Sequence, residues 1–308
     1  MNHISIYQIY YKQDQESFLE EAFKPYNNIS NENPEWHEYW IFYQNYKKYP
    51  IQESEYRGYL SWKFRQKTQV HGENFKNFIL QNPGYDVYFI NPFYMNAFLF
   101  QNVWYQAEYY HPGIMKFVQN LFYKLNYEVD IYKIVNTEDN TLFCNYWIGN
   151  QRFWKSFMDF TVPIYNYINN SLTKEEGEFI HSRADKQINA SYIAFIMERM
   201  FSTLMVFNKD ISSLSYHKIN RVISPKDKAA YFVFKNLEIV KALEIKNLND
   251  DKSIQNLSIA FRETVREYFF KINEKIQFIS KFIYKLRILL LGFRLRLKSK
   301  KYLKIKGN

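Results

Sequence analysis

The stretch Asn82-Pro83-Gly84-Tyr85-Asp86-Val87-Tyr88-Phe89-Ile90-Asn91-Pro92-Phe93 decides the fold. Its apolar run follows a Pro-Gly turn and is too short for an independent helix, so residues 86–90 read as a buried strand. Asn91-Pro92 ends that strand, because proline cannot donate to a central ladder and turns the preceding residue away from helix. Ligands of α/β proteins sit outside the carboxyl ends of strands, which puts Asn91 at the working end and Asp86 at the other. Turn chemistry alone would also account for both residues. The same region runs on through Glu108 to His111-Pro112-Gly113. It gathers three of the chain's eight prolines and two of its eight glycines around a few polar residues.

Working outward, residues 4–10 read as a first strand carrying Tyr7 and Gln8. Residues 15–22 fit one or two helical turns, and residues 25–34 an Asn-rich loop. A helix starts near Pro34, with proline at a first helical position and Glu35 and Glu38 suiting an N-terminal turn. Trp36, Tyr39, Trp40 and Tyr43 lie at helical spacing on its core face. Residues 56–64 read as a second strand, with Leu60, Trp62 and Phe64 facing the core and Ser61 and Lys63 facing away. Helices over 73–81, 113–125 and 150–168, with strands over 129–135 and 142–148, continue the alternation. That order predicts an α/β fold with a mainly parallel sheet. An apolar helix over 192–207 is interrupted by Glu198-Arg199. Such charges are seldom buried without partners, so a structural ion pair and a site both fit. Residues 225–270 are helical without a motif. The expected division is a domain over 1–220 and a helical extension over 221–308.

The chain has 308 residues, of which 47% are hydrophobic and 20% aromatic, enough for a sizeable core and against wholesale disorder. The aromatics come with abundant Asn, Ile and Lys, a compositional bias that makes any single Tyr or Phe uninformative about ligands. One cysteine, Cys144, excludes a disulfide framework and any multi-cysteine metal site. Residues 1–9 lack the basic start and long apolar run of a secretory signal, and no uninterrupted apolar run has the length of a membrane span. These features predict a cytosolic protein.

The charge is unevenly placed. Residues 271–308 hold 12 Lys and Arg against one acid, Glu274; removing these from the chain's 41 and 31 leaves 29 basic and 30 acidic residues in 1–270. The body therefore has no basic footprint for nucleic acid. In the tail over 276–308, Ile276, Ile279, Ile283, Leu286, Leu290, Phe293 and Leu297 form one helical stripe among Lys and Arg. That pattern fits a helix lying in an anionic membrane surface, or one packed on the body with a basic end. Nucleic-acid binding through the tail alone is a third reading, and it predicts strong salt dependence.

The common catalytic motifs are absent. There is no glycine loop for phosphate, no His-Glu-x-x-His and no Gly-x-Ser-x-Gly. Glu108 and His111 share a face if their segment is helical, as an acid–base pair, as metal ligands with a third group, or as turn and capping residues.

Several blocks, in order, carry a resemblance. They are Ile6-Tyr7-Gln8-Ile9-Tyr10; Asn27-Asn28, Asn31, Pro34 and Glu38-Tyr39-Trp40; and Gly58-Tyr59-Leu60-Ser61-Trp62-Lys63-Phe64 with Lys67-Thr68. Next come Asp86 to Phe93, Asn102-Val103-Trp104-Tyr105-Gln106-Ala107-Glu108 with His111-Pro112-Gly113, and Phe143-Cys144-Asn145-Tyr146 with Phe153-Trp154. The last is Met197-Glu198-Arg199-Met200-Phe201-Ser202. Over residues 4–207 the chain resembles bacterial glycosyltransferase-like proteins of capsule, O-antigen and lipooligosaccharide synthesis.

The resemblance implies a GT-A fold, a nucleotide-sugar-binding α/β sandwich, acting at the cytoplasmic face of the plasma membrane on a lipid-linked acceptor. It implies that Tyr7 and Gln8 contact the nucleotide, Lys63 helps the diphosphate, and Asp86 and Asn91 hold the sugar or a metal. Glu108 would be the base, oriented by His111, while Asn145, Glu198 and Arg199 would line the acceptor side. The chain departs from the GT-A pattern in lacking an Asp-x-Asp motif, which puts dependence on manganese or magnesium in question. A non-catalytic adaptor of a polysaccharide assembly complex is the competing expectation.

Overall fold

Short apolar runs punctuated by Pro, Gly and Asn become strands here, and the longer amphipathic runs become helices. A computed structural model of the chain describes residues 3–185, 190–220, 228–245, 252–271 and 278–303. Its strands are β1 His3–Tyr10, β2 Lys24–Asn27, β3 Glu55–Ser61, β4 Val87–Phe89, β5 Trp147–Gly149, β6 Arg183–Asp185, β7 Ala190–Ser191 and β8 Ser213–Ser215. The helices begin with α1 Glu38–Lys48, α2 Phe64–Thr68, α3 Gly72–Gln81, α4 Asn96–Leu99, α5 Val103–Tyr110, α6 Ile114–Lys124 and α7 Gln151–Asn170. They continue with α8 Lys174–Ile180, α9 Tyr192–Glu198, α10 Met200–Phe207, α11 Tyr216–Asn220, α12 Lys228–Ile245, α13 Lys252–Lys271 and α14 Phe278–Leu303.

Six strands form the central sheet in the order β2-β1-β3-β5-β4-β8, and β6 pairs with β7 separately. β1 runs parallel to β2 and β3, and β4 parallel to β8; β5 alone is reversed, between β3 and β4. The protein is thus α/β with a mostly parallel sheet, followed by C-terminal helices. Gly58 lets β5 lie close against β3, since a Cβ there would stand 2.3 Å from the Trp147 carbonyl oxygen.

The chain divides into two units. The first comprises residues 1–94 and 102–220, and the second residues 95–101 and 221–308. A division at residue 220 alone misses the segment 95–101, which packs with the C-terminal helices.

The core of the first unit is aromatic. Trp147 and Trp154 lie 4.6 Å apart by ring centroid, with Phe42 and Phe157 against Trp147. The Trp154 indole N–H donates to the Arg57 carbonyl at 2.9 Å, so its one polar atom is satisfied. Each of these rings removes roughly 1.5–3 kcal/mol worth of apolar surface from water.

Five elements differ from the sequence expectation. The strand expected over 56–64 stops at Ser61, and Phe64 opens α2 instead of ending the strand. Residues 129–135 form no strand, because side-chain amides take the place of a ladder: Gln119 bonds Val129 and Ile131, and Asn102 donates to the carbonyls of Ile131 and Ile134. Of residues 142–148, only the end enters β5, since Cys144 and Asn145 have left-handed φ of 67° and 55°. The helix expected from Pro34 is split by His37, at φ 47°, into a 3-10 turn and α1. The loop expected over 25–34 begins instead inside an edge strand, Lys24–Asn27, a place where Pro25 costs no ladder bond.

The second unit is built on α12, α13 and α14 around Leu237, Val240, Phe261, Val265 and Leu295, with Phe98 and Leu99 of α4 and the following Phe100 buried in the same cluster. Lys241, buried there, donates to the carbonyls of Phe100 and Gln101 at 2.7 and 3.0 Å. Arg262 donates to the Phe98 carbonyl at 3.1 Å and pairs with Glu244. These bonds close the backbone groups at the end of a four-residue helix that cannot satisfy itself.

Candidate functional site

Two asparagines frame the carboxyl end of β4. β4 and β5 pair Val87 with Gly149 and Phe89 with Trp147, and the Ile90 N–H donates to the Tyr146 carbonyl at 3.0 Å. Asn91 and Asn145 each stand one residue beyond that bond, at the end of the strand pair where α/β proteins take ligands. Both are buried, at 2% and 5% exposure. The Asn91 Oδ1 accepts from the Phe93 N–H at 3.0 Å, while its Nδ2 has no partner; Asn145 leaves its Oδ1 without one. A buried amide atom without a partner costs about 1–3 kcal/mol, so such atoms in a folded protein call for an explanation.

Asn145 lines a cleft of about 110 Å³ together with Glu38, Lys67, Cys144 and Glu198. Trp36, Ala194 and Phe195 supply apolar wall. Each polar group is delivered by a break in regular structure. The left-handed His37 sets Glu38 at the first turn of α1. Lys67 stands on α2, the short helix just beyond β3. Cys144-Asn145 is a left-handed pair, and Glu198 is the last residue of α9. Consecutive left-handed residues other than glycine store backbone strain, and such strain clusters at sites.

Glu198 is held in place. Its Oε1 accepts the Cys144 N–H at 2.7 Å, and its Oε2 lies 3.3 Å from an Arg199 nitrogen. Arg199 is wholly internal: it donates to the carbonyls of Val103 at 3.1 Å and Phe195 at 2.7 Å, and to the Gln106 side chain. Burial lowers the pKa of its guanidinium, with Glu198 and Cys144 opposing. Arg199 therefore acts from behind the cleft, fixing the carboxylate that faces it.

The Lys67 ammonium donates to the Cys144 sulfur at 3.1 Å. Desolvation works against its charge, but Cys144, Glu198 and Glu38 outweigh it and raise the Lys67 pKa. The Cys144 thiol is pushed up to about 12 by burial and by Glu198, with Lys67 opposing. At neutral pH it is a protonated thiol, not a nucleophilic thiolate. Glu38, half-exposed, makes no side-chain hydrogen bond or ion pair among the described residues. The cleft thus offers one uncommitted carboxylate, one fixed carboxylate, one ammonium and one buried amide acceptor.

Of the site residues expected from the sequence, Asn145 and Glu198 meet in this cleft, Arg199 supports it, and Asn91 stands at the same end of β4. The others stand elsewhere. Asp86, at the opposite end of β4, accepts from Asn150 at 3.0 Å and from both the N–H and the hydroxyl of Ser212 at 2.8 Å. Both its oxygens serve the architecture. Glu108 caps α6, taking the Gly113 N–H at 2.8 Å and the Met115 N–H at 3.0 Å, where a base role was expected. Capping consumes its lone pairs on orphan helix donors.

His111 stacks on Phe195 at 3.8 Å and pairs through Nδ1 with the Ala184 carbonyl. Gln8 is fully buried, clipping the ends of β1 and β3 through the Ser61 and Trp62 carbonyls and accepting the Glu20 N–H. Tyr7 stacks on Tyr59 at 5.0 Å, and Lys63 sits 5.0 Å over the Trp62 ring. Sequence reasoning missed Glu38 and Lys67. Both stood in the blocks that carry the resemblance, but the first read as a helix-start residue and neither was given a role.

Among the described residues, no group of three or more His, Cys, Asp or Glu gathers as a set of metal ligands. No family model, curated protein or solved structure matches the chain.

Proposed function

We propose that the first unit is a glycosyltransferase of GT-A type, moving a sugar from a nucleotide-sugar donor to a lipid-linked saccharide acceptor of a surface polysaccharide. The observation that carries this reading is the buried Asn145 Oδ1, without a partner, set between carboxylates and an ammonium at the carboxyl end of a parallel strand. A sugar hydroxyl is the natural donor for such an atom. Glycosyl transfer passes through an oxocarbenium-like state, which two carboxylates favour. The departing diphosphate gains negative charge, which the Lys67 ammonium stabilises.

In this mechanism the bond from the anomeric carbon to the phosphate oxygen breaks, and the diphosphate keeps the electron pair. The acceptor oxygen forms the new bond to that carbon, and its proton passes to Glu38. Glu198, fixed by Arg199 and the Cys144 N–H, orients hydroxyls. Donor binding is tested by thermal shift with nucleotides and nucleotide sugars, with and without manganese. Glu38→Gln is expected to lower turnover roughly 10²–10⁴-fold while donor binding persists. Unchanged turnover would remove Glu38 from the reaction. Absence of any shift, across all donors and conditions, would favour the adaptor reading.

A further inference from the structure

The second unit carries a feature that glycosyl transfer does not explain. α14 has two apolar faces. Ile288, Gly292 and Leu295 are buried on one face, against the other helices of the unit. Gly292 permits close approach: a Cβ there would stand 2.7 Å from the Phe232 ring. On the opposite face Ile283, Leu286, Leu290, Phe293 and Leu297 run along the helix at three- and four-residue spacing, each between 48% and 70% exposed. This is most of the stripe expected from the sequence. Ile276, its first member, lies outside the described residues.

Arg287, Arg294 and Lys298, all exposed, run beside this stripe at helical spacing, and Phe278–Leu303 contains no acid at all. We infer that this face of α14 binds the surface of an anionic lipid bilayer, lying in the interface with its apolar side chains in the acyl boundary. The inference stands apart from the glycosyltransferase reading, since it rests on the second unit alone.

Three observations select this occupant. A second copy pairing through the same face would bring basic side chain against basic side chain, with no acid on the helix to offset them. A nucleic acid would meet the cations but leave five large apolar side chains in water. A membrane-spanning role fails because no described helix is long and apolar enough to cross a bilayer. An apolar stripe with a cationic margin satisfies both parts of an anionic interface at once.

The test is cosedimentation of the full-length protein with vesicles of phosphatidylglycerol in phosphatidylcholine, and with vesicles of phosphatidylcholine alone. Removing residues 276–308 is unsuitable, because it strips Ile288 and Leu295 from the core of the unit. Binding to the anionic vesicles should exceed binding to phosphatidylcholine by at least about tenfold and weaken as salt rises. The double variant Leu290→Glu with Leu297→Glu should lose about tenfold in binding, with its thermal transition unchanged. Arg287→Gln with Arg294→Gln, which leaves the apolar stripe intact, should weaken binding to the anionic vesicles only. Equal binding to both compositions, or to neither, would overturn the proposal. So would a lipid-free dimer that the glutamates dissociate, or retention on duplex DNA that the arginine variant abolishes.

Discussion

The two ends of β4 are both polar, and they behave oppositely. At one end Asp86 has its oxygens filled by Asn150 and Ser212, and its own backbone N–H donates to the Ser212 carbonyl at 3.0 Å. At the other, Asn91 and Asn145 each keep an amide atom without a partner, and the backbone of Asn145 is left-handed. Residue type does not separate a clamp from a site: Asp86 was expected, with Asn91, to hold the sugar or a metal, and it is the clamp. What separates them is the account of satisfied hydrogen bonds. A protein closes its polar groups where it needs only rigidity and leaves them open where something else must arrive.

Substitutions at the two ends should split stability from binding. Asp86→Ala leaves the Ser212 N–H and the Asn150 amide without their acceptor, and it should cost about 3 kcal/mol in urea denaturation. Nucleotide-sugar affinity should be unchanged. A loss of affinity with little loss of stability would move Asp86 into the site and erase the contrast. Asn145→Gly relieves the left-handed strain and removes the open acceptor, so it should stabilise the protein by about 1 kcal/mol. Its donor affinity should fall about tenfold, because a hydroxyl loses its acceptor. If Asn145→Gly instead destabilised the protein, the open end would be as structural as the closed one.

The smallest effect concerns Cys144. Its thiol is held protonated up to about 12, above the ordinary thiol range. The folded state therefore binds this proton more tightly than the unfolded chain. The resulting stability is present at neutral pH and is lost as pH rises from the ordinary thiol range through about 12. Alkylation by iodoacetamide at pH 8 should accordingly run far slower in the folded protein than in denaturant. Equal rates would mean that the strained Cys144-Asn145 turn is open enough to lose its burial.

The sequence revealed the frame more readily than the site. Residues 4–10 and 86–90 gave β1 and β4, and the first part of 56–64 gave β3, because periodicity and turn residues act locally. Residues 129–135 and 142–148 misled because their backbone groups are taken by Gln119, Asn102, Ser202 and Glu198, side chains distant in sequence. The same long-range bonding decided the site. Asn145 and Glu198 could be picked out as polar residues in apolar surroundings. Glu38 became a cleft residue only through the left-handed turn at His37, and Lys67 only through its contact with Cys144. Glu108 misled for the opposite reason: a helix start five residues on took its carboxylate.

The route of the chain has a further consequence for how it is made. Residues 95–101 belong with helices that leave the ribosome only after residue 220. Ala97, Phe98, Leu99 and Phe100 must therefore emerge early and wait, greasy and uncovered, while more than a hundred later residues are synthesised. During that interval these apolar side chains are surface of the kind that promotes aggregation, until the helices that cover them have been made.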